Sequence, residues 1–513
     1  MRLGELAEVL SIGEALPAAA QEREITSVVQ DSRQVVPGSL FVAVRGFHSD
    51  GHRFVPQALQ LGAAAVIVES SAAVEGAGST IVIRVADTRK ALAAAAAKFY
   101  GYPSRRLKLV GITGTKGKTT TSYLVRSIIQ AAGHRTGLIG TIDYRIGDRV
   151  IPAPNTTPES VDLQALLAEM VGEGAAYCVM EVSSHALALG RTDGCTFEAA
   201  AFTNLAPEHL DFHGSMDGYF SAKLLLFTGL ARGKAAVVNL DDPRGREIIE
   251  GTAGRVITYG SSDRADIRPA SAIDQAISGL RFRLATPLGD MDIESSLAGA
   301  YNVSNILAAV GIGIALGFSR DDICQGIKAM TAVPGRMEQV DEGQLFGVVV
   351  DYAHTEGSLI ALLQAVRAMT TRRVITLFGC GGDRDRSKRP RMGAAALAGS
   401  DVVIVTSDNP RTEDELAIIS EIESGMSSRG QRVALPGTAV PEGKRPYLVV
   451  PDRGDAVKTA IDLAEAGDIV VLAGKGHEDY QIVGAAKHHF DDREEARRAV
   501  RNRLSARPDL REP

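Results

Sequence analysis

The chain of 513 residues is poor in cysteine and lacks a long apolar run. Its longest apolar stretch, residues 306–318, is too short and too rich in glycine to span a bilayer. The first residues mix charged and apolar side chains without the apolar core of a signal peptide, so we expect a cytoplasmic protein. The cysteines stand far apart, without CxxC or metal spacing, which predicts reduced thiols in the protein interior. They are Cys178, Cys195, Cys324 and Cys380.

The sequence also lacks a strong charge of either sign. The formal net charge is −6, from 56 basic and 62 acidic residues, and gives no electrostatic reason to expect a nucleic-acid partner. Internal repeats and low-complexity tracts are absent from the sequence. Because the length exceeds what one hydrophobic core supports, we expect about two to four domains.

What the sequence does contain is a glycine-rich loop directly after an apolar strand, in LKLVGITGTKGKTTT (107–121). Gly114 and Gly117 allow a tight turn in which backbone N–H groups and a helix N-terminus face an anion. Lys118 adds a cation for the β- and γ-phosphates, and the Thr119 hydroxyl is placed to bind Mg²⁺. The segment therefore predicts a site for a nucleoside triphosphate. The residues expected to bind it are Gly114, Thr115, Lys116, Gly117, Lys118, Thr119 and Thr120.

The spacing of this loop differs from that of the common P-loop, Gly-x-x-x-x-Gly-Lys. That pattern needs a glycine five residues before Gly117, where the chain has Ile112. The alternative interpretation is a turn rich in glycine and threonine with an incidental lysine. An apolar strand before the loop and an apolar helical pattern over 124–129 favour the phosphate site.

Two breaks in the strand and helix pattern, at 101–104 and 333–336, predict three domains. Their predicted bounds are 1–105, 106–335 and 336–513. In the second and third, apolar strands alternate with helices, which indicates mainly parallel sheets of the α/β class. The predicted strands are 39–44, 64–68, 81–85, 107–113, 177–182, 199–204, 235–240, 347–352, 373–378, 402–406, 447–450 and 469–473, with an alanine-rich helix over 88–100.

Polar clusters follow two neighbouring central strands at the points where these strands end. Glu181 lies at the end of strand 177–182, and His209 follows strand 199–204. Ligands of open α/β sheets gather at such strand ends, so both side chains would complete an Mg²⁺ shell begun by Thr119 and phosphate oxygens. The alternative is a helix-capping serine beside a solvated histidine. The phosphate loop upstream favours the site.

Six motifs stand in an order that resembles the Mur ligases: GTKGKTT (114–120), EVSSHAL (181–187), TNLAPEHLD (203–211), YNVSNILAA (301–309), PGRME (334–338) and DYAHT (351–355). No single motif is specific, but their joint order covers essentially the whole chain. The resemblance implies an ATP-dependent amide ligase that uses Mg²⁺. It also implies an N-terminal UDP-binding α/β module, a central P-loop ATPase domain with a parallel sheet, and a C-terminal Rossmann-like α/β domain.

By this resemblance Thr119, Glu181 and His209 are Mg²⁺ ligands. Lys223 matches the lysine that family members carry as a carbamate, and the modification turns a cation into an anion able to bind a second Mg²⁺. Without the modification, Lys223 would be a phosphate contact or a solvated helix residue. The positions matching the adenosine and phosphate contacts are Asn302, Arg336 and Asp351. The catalytic residues so implied are Lys118, Lys223, His209 and Glu181.

The first hundred residues resemble a UDP-sugar-binding module, with uridine-diphosphate loops at 31–33 (DSR) and 46–51 (GFHSDG). Taken alone, both loops are ordinary turns, since Asp, Ser and Gly favour turns for local reasons. The implied partner is UDP-MurNAc-L-Ala-D-Glu, whose carboxylates and pyrophosphate suit a cationic arginine. The positions matching its contacts are Ser32, His48, Asn155, Thr156, Thr157, Ser183 and Arg191.

The C-terminal domain is expected to choose the incoming amino acid through SDNPR (407–411). Meso-diaminopimelate differs from lysine by a carboxylate on the distal carbon, so a selective pocket needs a cation there. Arg411 offers a planar, bidentate partner, and DNPR is the form of the motif in diaminopimelate enzymes. A simple turn closed by Pro410 is the alternative, and it is compatible with a pocket. The other matching positions are Arg384, Asp408, Asn409, Gly474 and Glu478.

Three positions depart from the family pattern. Glu356 replaces the usual proline after the DYAHT core, Glu208 replaces the aspartate before the metal histidine, and Leu189 stands where glutamine is common. Each lies at the edge of the expected site, so affinities are affected more than the reaction.

Other functions fit parts of the sequence. The nearest is the same ligase with L-lysine, which Arg411 and Arg384 argue against. An ATPase switch without ligase activity would need neither Lys223 nor the DNPR segment. A folylpolyglutamate synthetase shares the ATP loop but needs no uridine-type module. The preferred interpretation is a monomer in cytoplasmic peptidoglycan precursor synthesis, without membrane or nucleic-acid partners.

Overall fold

The computed structural model describes residues 1–12, 15–46, 49–434 and 441–511. The chain forms two compact units. The first comprises Met1–Ala270, Leu284–Met291 and Ser304–Ile327, and the second comprises Ser271–Arg283, Asp292–Val303 and Lys328–Pro513. Within the described ranges, no helix is both long and apolar enough to cross a membrane. All four cysteines are free thiols.

The first hundred residues of the first unit form a parallel sheet with helices. The elements are α1 (Leu3–Ala7), α2 (Ala18–Gln21), β1 (Ser27–Val29), β2 (Ser39–Val42), α3 (Val55–Gln60), β3 (Ala65–Glu69), β4 (Ile81–Val85) and α4 (Thr88–Phe99), with short 3₁₀ turns at Ser32–Gln34, Gly51–Phe54 and Pro103–Arg105. The strands are ordered β1-β2-β3-β4. Helix α4 begins where the Asp87 carboxylate accepts hydrogen bonds from the N–H groups of Arg89 and Lys90, and five of its six alanines are buried.

An eight-stranded sheet forms the centre of the first unit. Its elements are β5 (Lys108–Thr113), α5 (Lys118–Ala131), β6 (Thr136–Ile139), β7 (Asp143–Ile146), β8 (Arg149–Pro152), α6 (Ser160–Gly172), β9 (Tyr177–Glu181), α7 (Ser184–Ala188), β10 (Phe197–Phe202), α8 (Leu210–His213), α9 (Met216–Thr228), β11 (Ala235–Asn239), α10 (Gly245–Gly251) and β12 (Arg255–Tyr259). The order is β12-β11-β10-β5-β9-β6-β7-β8, and only β7 and β8 run antiparallel to their neighbours. Since β5 pairs with both β9 and β10, three polar strand ends meet at one edge.

A small sheet and two helices follow. They are β13 (Arg268–Pro269), β14 (Asp274–Ala276), β15 (Gly279–Ala285), β16 (Met291–Ser295), α11 (Tyr301–Leu316) and α12 (Arg320–Ala329). Strand β15 pairs with each of the other three strands. The apolar stretch that is too short to span a membrane lies mostly in α11, where most of its residues are buried in the protein core.

The second unit contains a seven-stranded sheet. Its elements are β17 (Glu338–Gln339), β18 (Gly347–Asp351), α13 (Glu356–Arg367), β19 (Val374–Phe378), α14 (Lys388–Gly399), β20 (Val402–Val405), α15 (Glu415–Ser424), β21 (Gly430–Arg432), β22 (Arg445–Val449), α16 (Arg453–Leu463), β23 (Ile469–Ala473), the hairpin β24 (Tyr480–Val483) and β25 (Ala486–His489), α17 (Asp492–Ala506) and a 3₁₀ turn at Pro508–Leu510. The order is β17-β18-β23-β19-β20-β22-β21, parallel except for β17. Separate apolar clusters cover the two faces of this sheet.

The α/β class with parallel sheets predicted from the sequence is confirmed, and each predicted strand is present within a few residues of its expected bounds. The sequence pattern did not reveal the antiparallel extension β6-β7-β8 or the hairpin β24–β25. These strands are short, and β8 and β25 are largely exposed, so they lack the apolar runs by which the buried strands were identified.

Candidate active site

The phosphate loop connects β5 to α5, as its sequence predicts. Gly114 and Gly117 have φ angles of 149° and 86°, values that residues with a side chain rarely adopt. A Cβ atom on Gly114 would lie 1.8 Å from Thr203 Oγ1, and one on Gly117 would lie 2.2 Å from Asn305 Oδ1. Both positions therefore require glycine because neighbouring polar side chains approach the loop backbone closely.

The loop is held by the segment that follows β10. The Thr115 N–H donates to the Asn204 carbonyl at 2.8 Å, and the Lys116 N–H donates to Asn204 Oδ1 at 2.9 Å. The Thr203 hydroxyl donates to the Lys116 carbonyl at 2.6 Å. These bonds fix the curvature of the loop before any ligand is bound, which reduces the ordering cost of binding an anion.

Two lysines converge on one carbonyl of the loop. Lys118 Nζ donates to the carbonyl oxygens of Gly114 and Thr115 at 2.9 and 3.0 Å. Lys223 Nζ, on α9, donates to the same Gly114 oxygen at 2.9 Å and lies 4.3 Å from the centroid of the Tyr219 ring. Burial and the nearby Lys118 charge hold the pKa of Lys223 well below its ordinary value. Two amines thus meet at the loop, Lys118 from the loop side and Lys223 from α9, and the Lys223 amine favours its neutral form.

Glu181 is a fully buried carboxylate at the end of β9. Its Oε2 accepts hydrogen bonds from the hydroxyls of Thr119 and Thr141 at 3.0 and 3.1 Å, and its Oε1 accepts from the Thr141 N–H at 2.9 Å. All these donors are neutral, so they offset only part of the free-energy cost of removing the carboxylate from water. A carboxylate and a hydroxyl in contact fit a hard cation such as Mg²⁺, which uses few protein ligands. Across the described residues, no group of three His, Cys, Asp or Glu side chains could hold a metal ion.

His209 lies just before α8 with a φ angle of 56° and an exposed side chain. Its ring centroid is 4.7 Å from that of His185 and 6.2 Å from that of Tyr219. Partial desolvation lowers the pKa of His209, and desolvation together with the His209 charge lowers the pKa of His185 to about 4. Both imidazoles therefore favour the neutral form, the form that binds metal ions. Glu208, which replaces the aspartate of the family pattern, forms an ion pair with Lys116 in which Nζ and Oε1 are 3.1 Å apart.

The residues expected to contact a muramoyl dipeptide surround the end of β9. The Thr157 hydroxyl donates to the Glu181 carbonyl at 2.8 Å and accepts from the Ser183 N–H at 3.0 Å. Arg191 Nη1 donates to the Thr157 carbonyl at 3.0 Å. The structure thus joins these residues to the cation-binding candidate Glu181. Nearby, the hydroxyl of Thr156 contacts that of Thr141, and the Asn155 carbonyl accepts from Tyr144.

A cavity of about 560 Å³ lies between the two loops expected to bind uridine diphosphate. Asp31 and Ser32 of the first loop and Gly46 of the second line it, whereas His48 lies outside the described residues. Arg89 and Glu159 also line it, and the sequence analysis missed both because neither stands in a recognisable motif. Glu159 Oε1 lies 2.6 Å from Arg191 Nη2, so this carboxylate connects the cavity to the dipeptide contacts. The volume suits a small ligand.

The positions matching adenosine contacts lie in the second unit. The Asp351 carboxylate accepts hydrogen bonds from the N–H groups of Met337 and Ala353 at 2.7 and 2.8 Å. The Arg336 guanidinium lies 4.9 Å from the Tyr352 ring centroid, and its buried Nε has no hydrogen-bond partner. Asn302 Nδ2 donates to the Ala298 carbonyl at 2.6 Å. An unpaired buried donor on Arg336 fits a site completed by an anionic ligand.

The amino-acid candidates gather where β19, β20 and β23 end side by side. A Cβ atom added to Gly381 would lie 3.0 Å from Arg411 Nη1 and 3.8 Å from Arg384 Cγ, so both arginines flank this glycine. Arg411 has a φ angle of 52°, and its N–H and carbonyl pair with β24 and the following turn. This backbone pairing with the hairpin was not foreseen from the sequence.

A buried lysine that the sequence analysis missed supports the same segment. Lys475 Nζ lies 3.4 Å from Asp408 Oδ1 and donates to Asn409 Oδ1 at 3.2 Å. Asn409 Nδ2 in turn donates to Glu478 Oε2 at 2.9 Å, and Gly474 lies just before this lysine. The signal was present in the GKGHE motif, from which only the glycine and the glutamate were singled out. Asp408, Asn409 and Pro410 are buried, while Arg384 is exposed and Arg411 is partly exposed.

Three family models match the chain: the Mur ligase family, catalytic domain, over residues 24–100, the Mur ligase middle domain over 112–313, and the Mur ligase, glutamate ligase domain, over 335–476. A protein of Geobacter metallireducens named UDP-N-acetylmuramoyl-L-alanyl-D-glutamate--2,6-diaminopimelate ligase is 47% identical over 508 residues, which are 98% of each chain. A protein of Geobacillus thermodenitrificans with the same name is 46% identical over 94% of this chain and 96% of its own.

A solved structure of a UDP-N-acetylmuramoyl-L-alanyl-D-glutamate--2,6-diaminopimelate ligase superposes with a TM-score of 0.71 at 32% identity. The match covers 98% of this chain and 99% of that one. The similarity thus extends over all the strand ends described above, in sequence and in fold. The chain belongs to the Mur ligase family.

Proposed function

We propose that this protein is an ATP-dependent ligase that adds meso-diaminopimelate to UDP-MurNAc-L-Ala-D-Glu in peptidoglycan precursor synthesis. The observation that carries the choice of amino acid is the pair of arginines, Arg384 and Arg411, that flanks Gly381. Two guanidinium groups suit an amino acid with two carboxylates better than one with a single carboxylate. The names of the relatives in Geobacter metallireducens and Geobacillus thermodenitrificans support the same substrate. The proposed setting is the cytoplasm, with the chain acting as a monomer.

The proposed reaction has two steps. An oxygen of the D-glutamyl γ-carboxylate attacks the γ-phosphorus of ATP, so an acyl phosphate forms and ADP leaves. The amine of diaminopimelate then attacks the acyl carbon, and the tetrahedral intermediate expels phosphate and loses the amine proton to give the amide. Lys118 and the N–H groups of the loop neutralise the charge on the transferring phosphoryl group. Arg191 holds the muramoyl substrate by its negative charges.

Thr119, Glu181 and His209 are the proposed protein ligands of Mg²⁺. The support is the buried Glu181 carboxylate, whose hydrogen-bond donors are neutral and include the Thr119 hydroxyl at 3.0 Å. Bound Mg²⁺ would supply charge neutralisation at the phosphate oxygens. Within the chain, Thr141 orients the Glu181 carboxylate by binding both of its oxygens.

Lys223 is proposed to carry a carbamate. Its neutral amine would form an N–C bond with CO₂ and release one proton, which converts a buried neutral amine into an anionic carbamate. The described contacts of Lys223 Nζ are the Gly114 carbonyl and the Tyr219 ring, so its charge is paired with no carboxylate. A buried amine beside a second lysine favours the neutral nucleophile that this reaction needs.

Removal of dissolved CO₂ is expected to lower ligase activity at least tenfold, and added bicarbonate is expected to restore it, because the carbamate forms reversibly. Rates would be measured in degassed buffer with and without bicarbonate. Intact-protein mass spectrometry under mild conditions would detect one added CO₂. The Lys223→Ala variant is the control, since bicarbonate cannot restore its activity. Full activity of the unmodified protein without CO₂ would contradict the proposal.

The function is tested by measuring phosphate release from ATP with UDP-MurNAc-L-Ala-D-Glu and either meso-diaminopimelate or L-lysine. Strong turnover that requires diaminopimelate is the expected result. Equal turnover with lysine would replace the proposed substrate by the alternative amino acid. Phosphate release that ignores both substrates would instead identify an ATPase without ligase activity.

A further inference from the structure

Two loops of the second unit carry the arginines proposed to select the amino acid. The first follows β19 and contains Gly382 and Arg384, and the second follows β20 and contains Asn409 and Arg411. The Gly382 N–H donates to the Asn409 carbonyl at 2.9 Å, and Arg411 Nη1 donates to the Gly382 carbonyl at 2.8 Å. The position of each arginine therefore depends on how the two loops are held together.

An ion pair between buried Arg389 and partly exposed Glu413 joins these loops from the side of helix α14. Arg389 also pairs with Glu421, and Glu413 also pairs with Arg386. Arg389 is fully buried, and its two terminal nitrogens donate to the two carboxylate oxygens of Glu413 at 2.9 and 2.8 Å. Arg389 Nη2 also donates to the Gly381 carbonyl at 3.2 Å. Glu413 Oε1 accepts from the Asp383 N–H at 2.6 Å. Both members of the pair thus bind the backbone of the first loop, while Glu413 belongs to the second.

The ion pair and the two arginines contact the same stretch of backbone, at Gly381. The Gly381 carbonyl accepts a hydrogen bond from Arg389. A Cβ atom added to Gly381 would lie 3.0 Å from Arg411 Nη1 and 3.8 Å from Arg384 Cγ. A displacement of Gly381 would shift the backbone against which the Arg411 guanidinium and the aliphatic part of the Arg384 side chain lie, and so change how the two arginines meet a bound dicarboxylate. Misplacement by about 1 Å is enough to cost a large factor in rate or affinity.

Stability alone does not account for such a pair. A buried ion pair is often replaceable by apolar residues without loss of stability, whereas its directional hydrogen bonds fix geometry. The hydrogen bonds from Arg389 and from the Asp383 N–H also lower the pKa of Glu413 to about 2, so the carboxylate stays ionised near neutral pH.

We propose that Arg389 and Glu413 are positioning residues that set the spacing between Arg384 and Arg411, and through it the selectivity for a dicarboxylate amino acid. The inference rests on the proposed function and deepens it. Neither residue touches the amino acid. Both act through the loop backbone that presents the arginines.

The test is steady-state kinetics of Glu413→Gln, which keeps the shape of the side chain and removes its charge. The KM for meso-diaminopimelate is expected to rise at least tenfold, and its preference over lysine is expected to fall by a similar factor. The KM values for ATP and for the UDP-muramoyl substrate are expected to stay within about twofold, as is kcat at saturation. A purely structural role would lower thermal stability without this split.

Glu423→Gln is the matched control. Glu423 lies on α15, the helix that follows the loop of Glu413, and pairs with an arginine, Arg432 at 3.5 Å, but it touches neither pocket loop. It is expected to keep wild-type selectivity. Arg389→Lys, which keeps the charge but loses the bidentate geometry, is a second variant and is expected to show the same KM increase in a folded protein. Unchanged selectivity in both Glu413→Gln and Arg389→Lys, with thermal unfolding near that of the wild type, would overturn the proposal. Failure of the wild type to ligate diaminopimelate would instead overturn the proposed function.

Discussion

Replacing Lys118 with alanine is expected to lower kcat for substrate-dependent phosphate release about 1,000-fold, the loss typical of removing one charge aimed at a transferring phosphoryl group. Lys118 Nζ rests on two carbonyl oxygens of the loop, at 2.9 and 3.0 Å, so the free protein already holds the amine beside the anion site. No other side chain of the loop can replace it, because Lys116 is turned toward Glu208 at 3.1 Å. The measurement is phosphate release under saturating substrates.

Lys108→Ala is the control for this prediction. Lys108 lies at the opposite end of β5, contacts the hydroxyl of Tyr177 and is exposed, so its loss is expected to leave kcat within about twofold. Circular dichroism would show whether Lys118→Ala remains folded. A folded Lys118→Ala enzyme with kcat near that of the wild type would remove Lys118 from the phosphate site.

Replacing Arg411 with alanine is expected to lower kcat/KM for meso-diaminopimelate by roughly a hundredfold, about 3 kcal/mol, because a carboxylate loses its charged, bidentate partner. The value for lysine is expected to change much less, since lysine has no distal carboxylate. The preference between the two amino acids would therefore narrow or reverse. Competition between labelled diaminopimelate and lysine, followed by separation of the products, measures this ratio directly.

Arg432→Ala serves as the comparison, since Arg432 is an exposed arginine of the same unit that pairs with Glu423. It is expected to keep the wild-type preference. If Arg411→Ala still prefers diaminopimelate, another cation must select the substrate, and Arg384 is the nearest candidate.

The position and fold of the loop proposed to bind phosphate were predictable from the sequence because its residues are neighbours in the chain. Gly114, Gly117, Lys118 and Thr119 lie within six residues, and the strand and helix beside them have strong apolar patterns. The membership in the Mur ligase family, stated from six ordered motifs, is confirmed by the family models and by the relatives. The domain bounds at 105 and 335 and the roles of the individual site residues stay predictions.

The supporting contacts were not predictable in the same way. Glu159 with Arg191, Lys475 with Asp408, and Arg389 with Glu413 are pairs that lie 24 or more residues apart in the chain. Charged residues are common, and periodicity reports which face of an element is apolar, not which distant polar side chains meet. Only the order of strands in the sheets brings such partners together, and that order depends on tertiary packing.

The left-handed backbone conformation of Arg411 affects which substitutions this position can accept. A residue with a side chain pays about 1 kcal/mol or more to adopt a φ angle near 52°, whereas glycine adopts it readily and asparagine more easily than most. Replacement of Arg411 by either would remove the cation proposed to select the amino acid and relieve this backbone cost, while losing the hydrogen bond from Arg411 Nη1 to the Gly382 carbonyl. The backbone cost at this position therefore favours loss of the arginine, and its proposed role in substrate selection is what would oppose that loss.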